Sequence, residues 1–505
     1  MNTASRVRKV SLNALTNYIR FFITMVVTFL LIPFIIRKLG EDIYGLWTLS
    51  FSIIGFFSLL DFGFGLGVVK WTGEAVVHKD FTHRNGILST VFLLYVAIAA
   101  VGMLALAGFS LLYPRLFSIP DTLSRPAVLV LLILGIRSLV IQVPLSLFKG
   151  VLFGEQRIAR INIIQTVGTL LYAGSAWLML AGGWCIVTLA IVNCGAFLIE
   201  NTLYLLHALR HVEGLRISFS LFSKKYLRES LSFSIYSFIT TIAGLVLFNT
   251  DAIIIQVALN LTLVGIYGVA IKITEYSLLL TKQLVNVLTP LISELKESRD
   301  DASIRFLLID VSRYVMATGA LIAGSVYVFG SDLLVLWVGE SFLSAVVPLM
   351  LLITAFLLSI PELIAANVLT MTGYHTYTAK ISISSIVVNI GISLLLVRPL
   401  GLTGIAIGTL SSSVINNVIL MLRKAAGVYQ FSYTRYVTGV FLPAILPMPV
   451  LLGAGFLLKH YFPVRSLPDL ILKALPGIIL YIGVFWTCCV DRSIKQQLKN
   501  RLRRS

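Results

Sequence analysis

The fold that the sequence predicts is all-α: a polytopic membrane protein of about fourteen transmembrane helices, arranged as two pseudo-symmetric six-helix lobes plus two C-terminal helices. Three observations predict it: the residue mix, the spacing of apolar runs, and a weak internal repeat. The 505 residues are 58% hydrophobic and 12% charged, with a mean hydropathy of +0.94, which departs from soluble averages toward integral membrane proteins. The formal charge of +18 does not signal nucleic acid. Basic residues lie between apolar runs rather than on one polar face, and no nucleic-acid module can be placed.

With about 20 residues needed to cross roughly 30 Å of hydrocarbon, spans are expected near 12–36, 46–69, 86–112, 126–149, 161–181, 185–209, 231–257 and 265–289. Six more follow near 307–330, 343–370, 381–398, 404–422, 437–458 and 470–489. The basic start Arg6, Arg8 and Lys9 precedes a run too long for a signal segment, so it is read as the first retained span. If the N-terminus is cytoplasmic, about 27 Lys and Arg fall on inner segments and about 7 on outer ones, which places both termini inside. Cys185, Cys194, Cys488 and Cys489 sit within apolar runs without zinc or disulfide spacing and read as small buried hydrophobes. No connection is long enough for a soluble catalytic module of ordinary size.

The repeat is carried by two echoes. Ile43-Tyr44-Gly45 opens the second span and Ile266-Tyr267-Gly268 the eighth; Gly154…Arg160-Ile161 precedes the fifth and Gly373…Lys380-Ile381 the eleventh. Together they set a six-helix unit at spans one to six and again at seven to twelve, in the same orientation because six is even. The expected domains are therefore residues 1–215, 216–430 and a C-terminal pair with a basic tail, 431–505. Tail residues Lys495 to Arg504 form a basic amphipathic stretch suited to anionic membrane lipid.

Charges inside spans carry the functional signal, because each costs roughly 2.5 to 3.5 kcal/mol on insertion scales unless it meets a cavity, a partner or a ligand. On the first span Asn13, Asn17, Arg20, Thr24 and Thr28 recur at intervals of three and four, a polar face. Arg20 either lines a cavity with that face or snorkels to the interface. Lys272, Glu275 and Lys282 share an arc of the eighth span; Lys272 and Glu275 can neutralise each other, which leaves Lys282 over. Arg137 stands in mid-span without a local carboxylate, whereas Arg313 has Asp310 at i−3. Such surplus cations suit an anionic ligand. Asp61 and Glu362 are intramembrane carboxylates that either pair with a cation or backbone donor or carry protons. A second set, Asp251, Asn389, Ser393, Thr409 and the carbonyl of Ile405, offers the oxygen types that a hard cation such as sodium takes; the alternative is that Asp251 caps or bonds a neighbouring helix.

The run Pro33-Phe34-Ile35-Ile36-Arg37-Lys38-Leu39-Gly40-Glu41-Asp42-Ile43-Tyr44-Gly45-Leu46-Trp47, continued by Leu60-Asp61-Phe62-Gly63, resembles the N-terminal signature of the polysaccharide (Wzx-type, O-antigen) flippases of the multidrug/oligosaccharidyl-lipid/polysaccharide exporter superfamily. The resemblance implies two lobes about a central cavity that alternate between inward- and outward-facing states in the bacterial cytoplasmic membrane. It implies no enzyme activity and no cofactor, but translocation of an undecaprenyl-pyrophosphate-linked oligosaccharide with Na+ or H+ as coupling ion. Arg20, Arg137, Lys272 and Lys282 then become substrate-binding candidates, with Asn13, Asn17, Thr24, Asp61 and Glu275 lining the cavity. Asp251, Asn389, Ile405 and Thr409 look like counterparts of a sodium site in related lipid II flippases, with Ser393 where a second acidic ligand is expected. A polysaccharide polymerase and a chain-length regulator are the implied partners. Competing functions are a cation-coupled drug antiporter of the same fold, which would prefer an acidic or aromatic cavity, a membrane glycosyltransferase or O-antigen ligase, and a scaffold indifferent to loss of its intramembrane charges.

Overall fold

A computed structural model describes residues 3–286, 288–298, 300–490 and 495–496. Its regular secondary structure is all helical among these residues, and thirteen of its helical segments are long and apolar enough to cross a membrane. A further helix, Lys224–Ala258, occupies the position of the seventh expected span. The chain divides into two compact units, Met1–Gly265 and Ile266–Ser505.

The first unit opens with α1 (Thr3–Leu39), whose last turn carries Arg37 and Lys38 against the negative end of the helix dipole. It stops at Gly40, held at φ 91°, a conformation that costs a side-chain-bearing residue and suits glycine. The second span differs from the single helix that its hydropathy predicts. It runs as α2 (Glu41–Gly55), continues as a 3-10 turn over Phe56–Asp61, breaks, and restarts as α3 (Phe64–His78). The break is local backbone chemistry: Phe62 and Gly63 both adopt positive φ, 49° and 77°. Asp61 fixes it by accepting from the Gly65 amide at 3.2 Å and from the Tyr95 hydroxyl.

Next come α4 (Phe81–Leu116), capped by Asp80, then α5 (Asp121–Ile136), a π turn over Arg137–Gln142, and α6 (Val143–Gly154). Then follow α7 (Ile158–Ala181), α8 (Ile186–His211) and α9 (Lys224–Ala258). Within this unit α1 packs on α7, α7 and α6 on α8, α3 on α6, and α9 against α2, α3 and α4. Phe64, Val68, Trp71, Tyr95, Leu147 and Val151 form the centre of its core.

The boundary between units falls inside α10 (Leu261–Asn286). The second unit continues with α11 (Thr289–Glu297) and α12 (Asp301–Phe306), the latter running through a π turn into α13 (Ser312–Trp337). After α14 (Val346–Met371) and α15 (His375–Leu400), α16 (Leu402–Ser412) passes through a π stretch, Ser413–Met421, into α17 (Leu422–Val428). The last elements are α18 (Tyr433–Ile445), α19 (Met448–Tyr461) and α20 (Leu467–Val484). α15 lies along α16, α14 packs on α13 and α16, and α18, α19 and α20 all pack on α13. Tyr481 ties this last group together, its hydroxyl lying 2.7 Å from the Ala444 carbonyl and 3.0 Å from that of Ala317.

Apolar side chains cover much of the outside: Leu104, Leu111, Leu395 and Leu472 are all exposed, as expected where hydrocarbon replaces water as solvent. The same fact corrects the expectation for two cysteines. Cys185 and Cys488 are exposed rather than buried, because an apolar run in such a chain has a lipid face as well as a protein face; all four thiols are unbonded. The basic tail lies outside the described residues except for Lys495 and Gln496, and the Lys495 ammonium donates to the Thr487 carbonyl at 2.9 Å.

Candidate functional site

The polar face of α1 meets the start of α7. Asn13 Oδ1 accepts from the Ala159 amide at 3.0 Å, and Asn162 Nδ2 donates to Thr16 Oγ1 at 3.1 Å. Arg20 is held between two amide oxygens, donating through Nη2 to Asn17 Oδ1 at 2.9 Å and through Nε to Asn162 Oδ1 at 3.1 Å. Asn162 is 4% exposed, so this clamp is anchored in packed protein. A snorkelling arginine would keep its head among water and lipid headgroups; this one is fixed by a neighbouring helix, with three further N–H donors left over. Thr24 is half-buried one turn farther along, and its carbonyl accepts from Thr28 at 2.9 Å.

Two residues that the sequence did not single out complete this region. Glu200 on α8 accepts from the Tyr204 hydroxyl at 3.0 Å and lies within electrostatic reach of Lys149 on α6, Arg137 and Arg20. Lys149 in turn sits 5.9 Å from the centre of the Tyr204 ring and senses Arg20. Three cations on segments long and apolar enough to cross the membrane therefore lie within electrostatic reach of one carboxylate. Arg137 is the first residue of the π turn, a distortion that re-aims side chains and recurs at functional positions. Its guanidinium stacks on Phe197 at 4.1 Å and faces Phe51 at 5.6 Å, while its buried Nε has no hydrogen-bond partner among the described residues. Asp61 is placed elsewhere in the unit, on Tyr95 and the α3 backbone.

In the second unit several of the candidate charges stand beside a partner of opposite sign. Lys272 and Glu275 form an ion pair of 2.7 Å, Arg313 and Asp310 one of 3.3 Å, and Lys282 is within electrostatic reach of Glu362. The oxygen-bearing set on α15 and α16 comes together. Asn389 Nδ2 donates to Thr409 Oγ1 at 2.9 Å, and the hydroxyls of Ser393 and Thr409 both approach the Ile405 carbonyl, at 3.4 and 3.5 Å. Gly408 permits this approach, since a Cβ there would fall 2.2 Å from Ser393 Oγ. Asn389 Oδ1 is buried without a hydrogen-bond partner among the described residues. Asp251 belongs to the first unit and is 4% exposed. No cluster of three or more His, Cys, Asp or Glu suited to a metal occurs among the described residues.

Residues 8–296, more than half of the chain, match the model of a family described as polysaccharide biosynthesis protein. The chain belongs to that family. The matched stretch contains Arg20, Arg137, Lys149 and Glu200, the whole cationic cluster. Among relatives, a probable flippase, AglR, of Haloferax volcanii is 24% identical over 89% of this chain and 89% of its own length. A putative O-antigen transporter of Shigella flexneri is 21% identical over 84% of this chain and 97% of its own. In fold, the lipid II flippase MurJ in an inward closed conformation aligns with a TM-score of 0.71, at 14% identity, over 94% of this chain and 98% of that one. This member of the polysaccharide biosynthesis family is thus a multi-pass membrane protein with the fold of that transporter group. Sequence periodicity finds Asn13, Asn17 and Arg20, which share one helix face. It misses Asn162, Lys149 and Glu200, which stand on three different helices and become part of a set only when α1, α6, α7 and α8 pack.

Proposed function

We propose that this protein is a flippase that carries an undecaprenyl-pyrophosphate-linked oligosaccharide from the cytoplasmic to the outer leaflet of the bacterial inner membrane by alternating access. The observation that carries the proposal is the cationic cluster of the first unit, Arg20, Lys149 and Arg137 about the single carboxylate Glu200. A pyrophosphate cannot enter hydrocarbon bare, because desolvating charge without partners costs many kcal/mol. Guanidinium and ammonium donors replace its hydration, while the polyprenyl tail stays in the bilayer. Family membership and relatives named as flippases support the same assignment.

The roles divide by chemistry. Arg20, pre-set by Asn17 and Asn162, offers a planar fork for a phosphate oxygen pair. Lys149 supplies a mobile point charge beside it, and Glu200 is the counter-ion that holds these cations when no ligand is present. Arg137, stacked on aromatic rings, takes an acidic or hydroxyl-rich sugar. Lys272 and Lys282, already facing carboxylates, contribute less. Both termini lie in the cytoplasm, so the cluster on the first unit is loaded from the side where the lipid-linked unit is made. A ligand shifts a two-state equilibrium only by its differential affinity, so an ion gradient or the supply of fresh substrate must bias release. The buried oxygens of Asn389, Ser393, Thr409 and Ile405 are the candidates for a coupling sodium ion, with Asp251 a candidate for sodium or proton coupling. The product would pass to a polymerase and a chain-length regulator; no bond is made or broken by this chain.

The test is reconstitution with a fluorescent undecaprenyl-pyrophosphate glycan and measurement of its exposure on the far leaflet, with and without sodium or proton gradients. Wild-type protein is expected to move the lipid. Export of cationic dyes with no movement of the lipid would instead establish a drug antiporter.

A further inference from the structure

The connection between α8 and α9 carries chemistry that translocation does not use. It spans residues 212–223 and follows directly on the end of α8, a helix long and apolar enough to cross the membrane, so it lies close to one membrane surface. Its backbone is gripped by the first turns of α4. Arg84 Nη2 donates to the Glu213 carbonyl at 2.8 Å and Asn85 Nδ2 to the Gly214 carbonyl at 2.7 Å. The amides of Ser218 and Ser223 donate to Ser89 Oγ and Thr90 Oγ1 at 3.1 and 3.3 Å. All four α4 side chains are buried, Arg84 fully so. Val212 and Leu215 are sunk in the core of the unit.

This grip fixes which side chains face outward. The short 3-10 turn Phe219–Leu221 presents Phe219 at 73% exposure, and Phe222 beside it is 45% exposed. Arg216, Lys224, Lys225 and Arg228 flank them in sequence and are exposed. Against these four cations stand two carboxylates, of which Glu229 is already paired with His83 at 3.3 Å, leaving Glu213. Exposed aromatics flanked in sequence by cations that form no ion pair among the described residues, on a backbone held by α4 at the end of a span, match the physics of an anionic bilayer surface. Aromatic rings partition to headgroup depth, and each Lys or Arg near a negative leaflet is attracted within a Debye length.

We propose that residues 216–228 form a docking site for anionic lipid headgroups, with Phe219 and Phe222 inserted at headgroup depth and Arg216, Lys224, Lys225 and Arg228 contacting phosphate. The site anchors the connection between α8 and α9 to the membrane. It does not depend on the flippase assignment.

The test uses the full chain in nanodiscs of phosphatidylcholine alone or mixed with phosphatidylglycerol. An environment-sensitive dye is attached through Ser220→Cys after replacement of the four native cysteines. Expected is a blue-shifted emission quenched by headgroup-level spin-labelled lipid, stronger in the anionic discs and weakened by added salt. R216Q/K224Q/K225Q/R228Q loses the lipid dependence, and F219S/F222S loses the blue shift in both lipids. Identical emission in the two lipid mixtures, with the dye open to iodide in both, overturns the proposal; so does a quadruple variant that keeps the wild-type lipid dependence. Because no translocation is measured, failure of transport and failure of docking are read separately.

Discussion

Replacing Arg20 by Gln tests the proposed site where its geometry is best defined. Two of the five N–H groups of Arg20 are spent on Asn17 and Asn162, at 2.9 and 3.1 Å, and hold the guanidinium in place. The remaining donors are those available to a phosphate. A charge-assisted hydrogen bond contributes about 1.5–3 kcal/mol net, so losing one such contact in the rate-limiting state lowers translocation by roughly 10- to 100-fold. Gln keeps a donor for Asn162, whose buried Oδ1 would otherwise be orphaned at about 1–3 kcal/mol, so the fold should survive. Arg20→Lys retains the charge without the planar fork and is expected to fall between wild type and Gln. Asn162→Ala leaves Arg20 charged but loosens its clamp, and should slow transport less than Arg20→Gln does. The assay is far-leaflet exposure of the fluorescent lipid-linked glycan in proteoliposomes, with folding checked by thermal unfolding in detergent. Wild-type rates in folded Arg20→Gln protein would refute the assignment of Arg20 to the ligand and reduce it to a structural tie between α1 and α7.

Three further outcomes are expected. Tyr95→Phe removes a hydroxyl from the Asp61 carboxylate at the break in the second span, and should lower stability by about 1–3 kcal/mol, seen as a reduced unfolding temperature. Gly154→Val places a Cβ 2.7 Å from the Val69 carbonyl and 2.6 Å from Thr72 Cβ, at the contact of α3 with α6; overpacking there should cost about 1–3 kcal/mol by the same measurement. Thr409→Val removes a hydroxyl from the set on α15 and α16 and leaves Asn389 Nδ2 without its acceptor. If that set binds the coupling ion, the variant loses any sodium stimulation of transport and keeps its sodium-independent rate; unchanged sodium dependence would assign coupling elsewhere.

Most of the helical architecture is legible in the sequence because a bilayer imposes a length: runs of about 20 apolar residues have few alternatives to a spanning helix. What hydropathy cannot show is backbone conformation inside such a run. Leu60-Asp61-Phe62-Gly63 reads as continuous apolar helix with one acid, yet Phe62 and Gly63 turn left-handed and split the span. Side-chain periodicity shows Asn13, Asn17 and Arg20 because neighbours on a helix face are close in sequence. It cannot show that Asn162, more than 140 residues later, is what holds Arg20. Lys149 is hidden for a different reason: it stands near the end of α6 and is indistinguishable by sequence from the basic residues that flank spans on the cytoplasmic side. Lys272 and Glu275 were legible as a pair, and the i,i+3 spacing on one helix was enough.

The two units differ in how they treat charge, and this difference bears on how one protein could use both an anion and a cation. In the second unit, among the described residues, Lys272 faces Glu275, Arg313 faces Asp310, Lys459 faces Asp332 and Lys473 faces Asp469, all within 3.3 Å. Each such pair leaves little field of its own, and the polar groups that come together on α15 and α16 are neutral oxygens and an amide. In the first unit three cations share one carboxylate. Both units carry the same formal surplus, 20 Lys and Arg against 11 Asp and Glu in each, so the difference lies in where the charges stand and not in how many there are. Pyrophosphate binding would be drawn to the cluster of the first unit, whereas a small cation would be repelled by that cluster and favoured by the uncharged oxygens of the second unit. If substrate and coupling ion take these two sites, they do not compete for the same residues, and any link between their movements must be carried by a change of state that both sites sense.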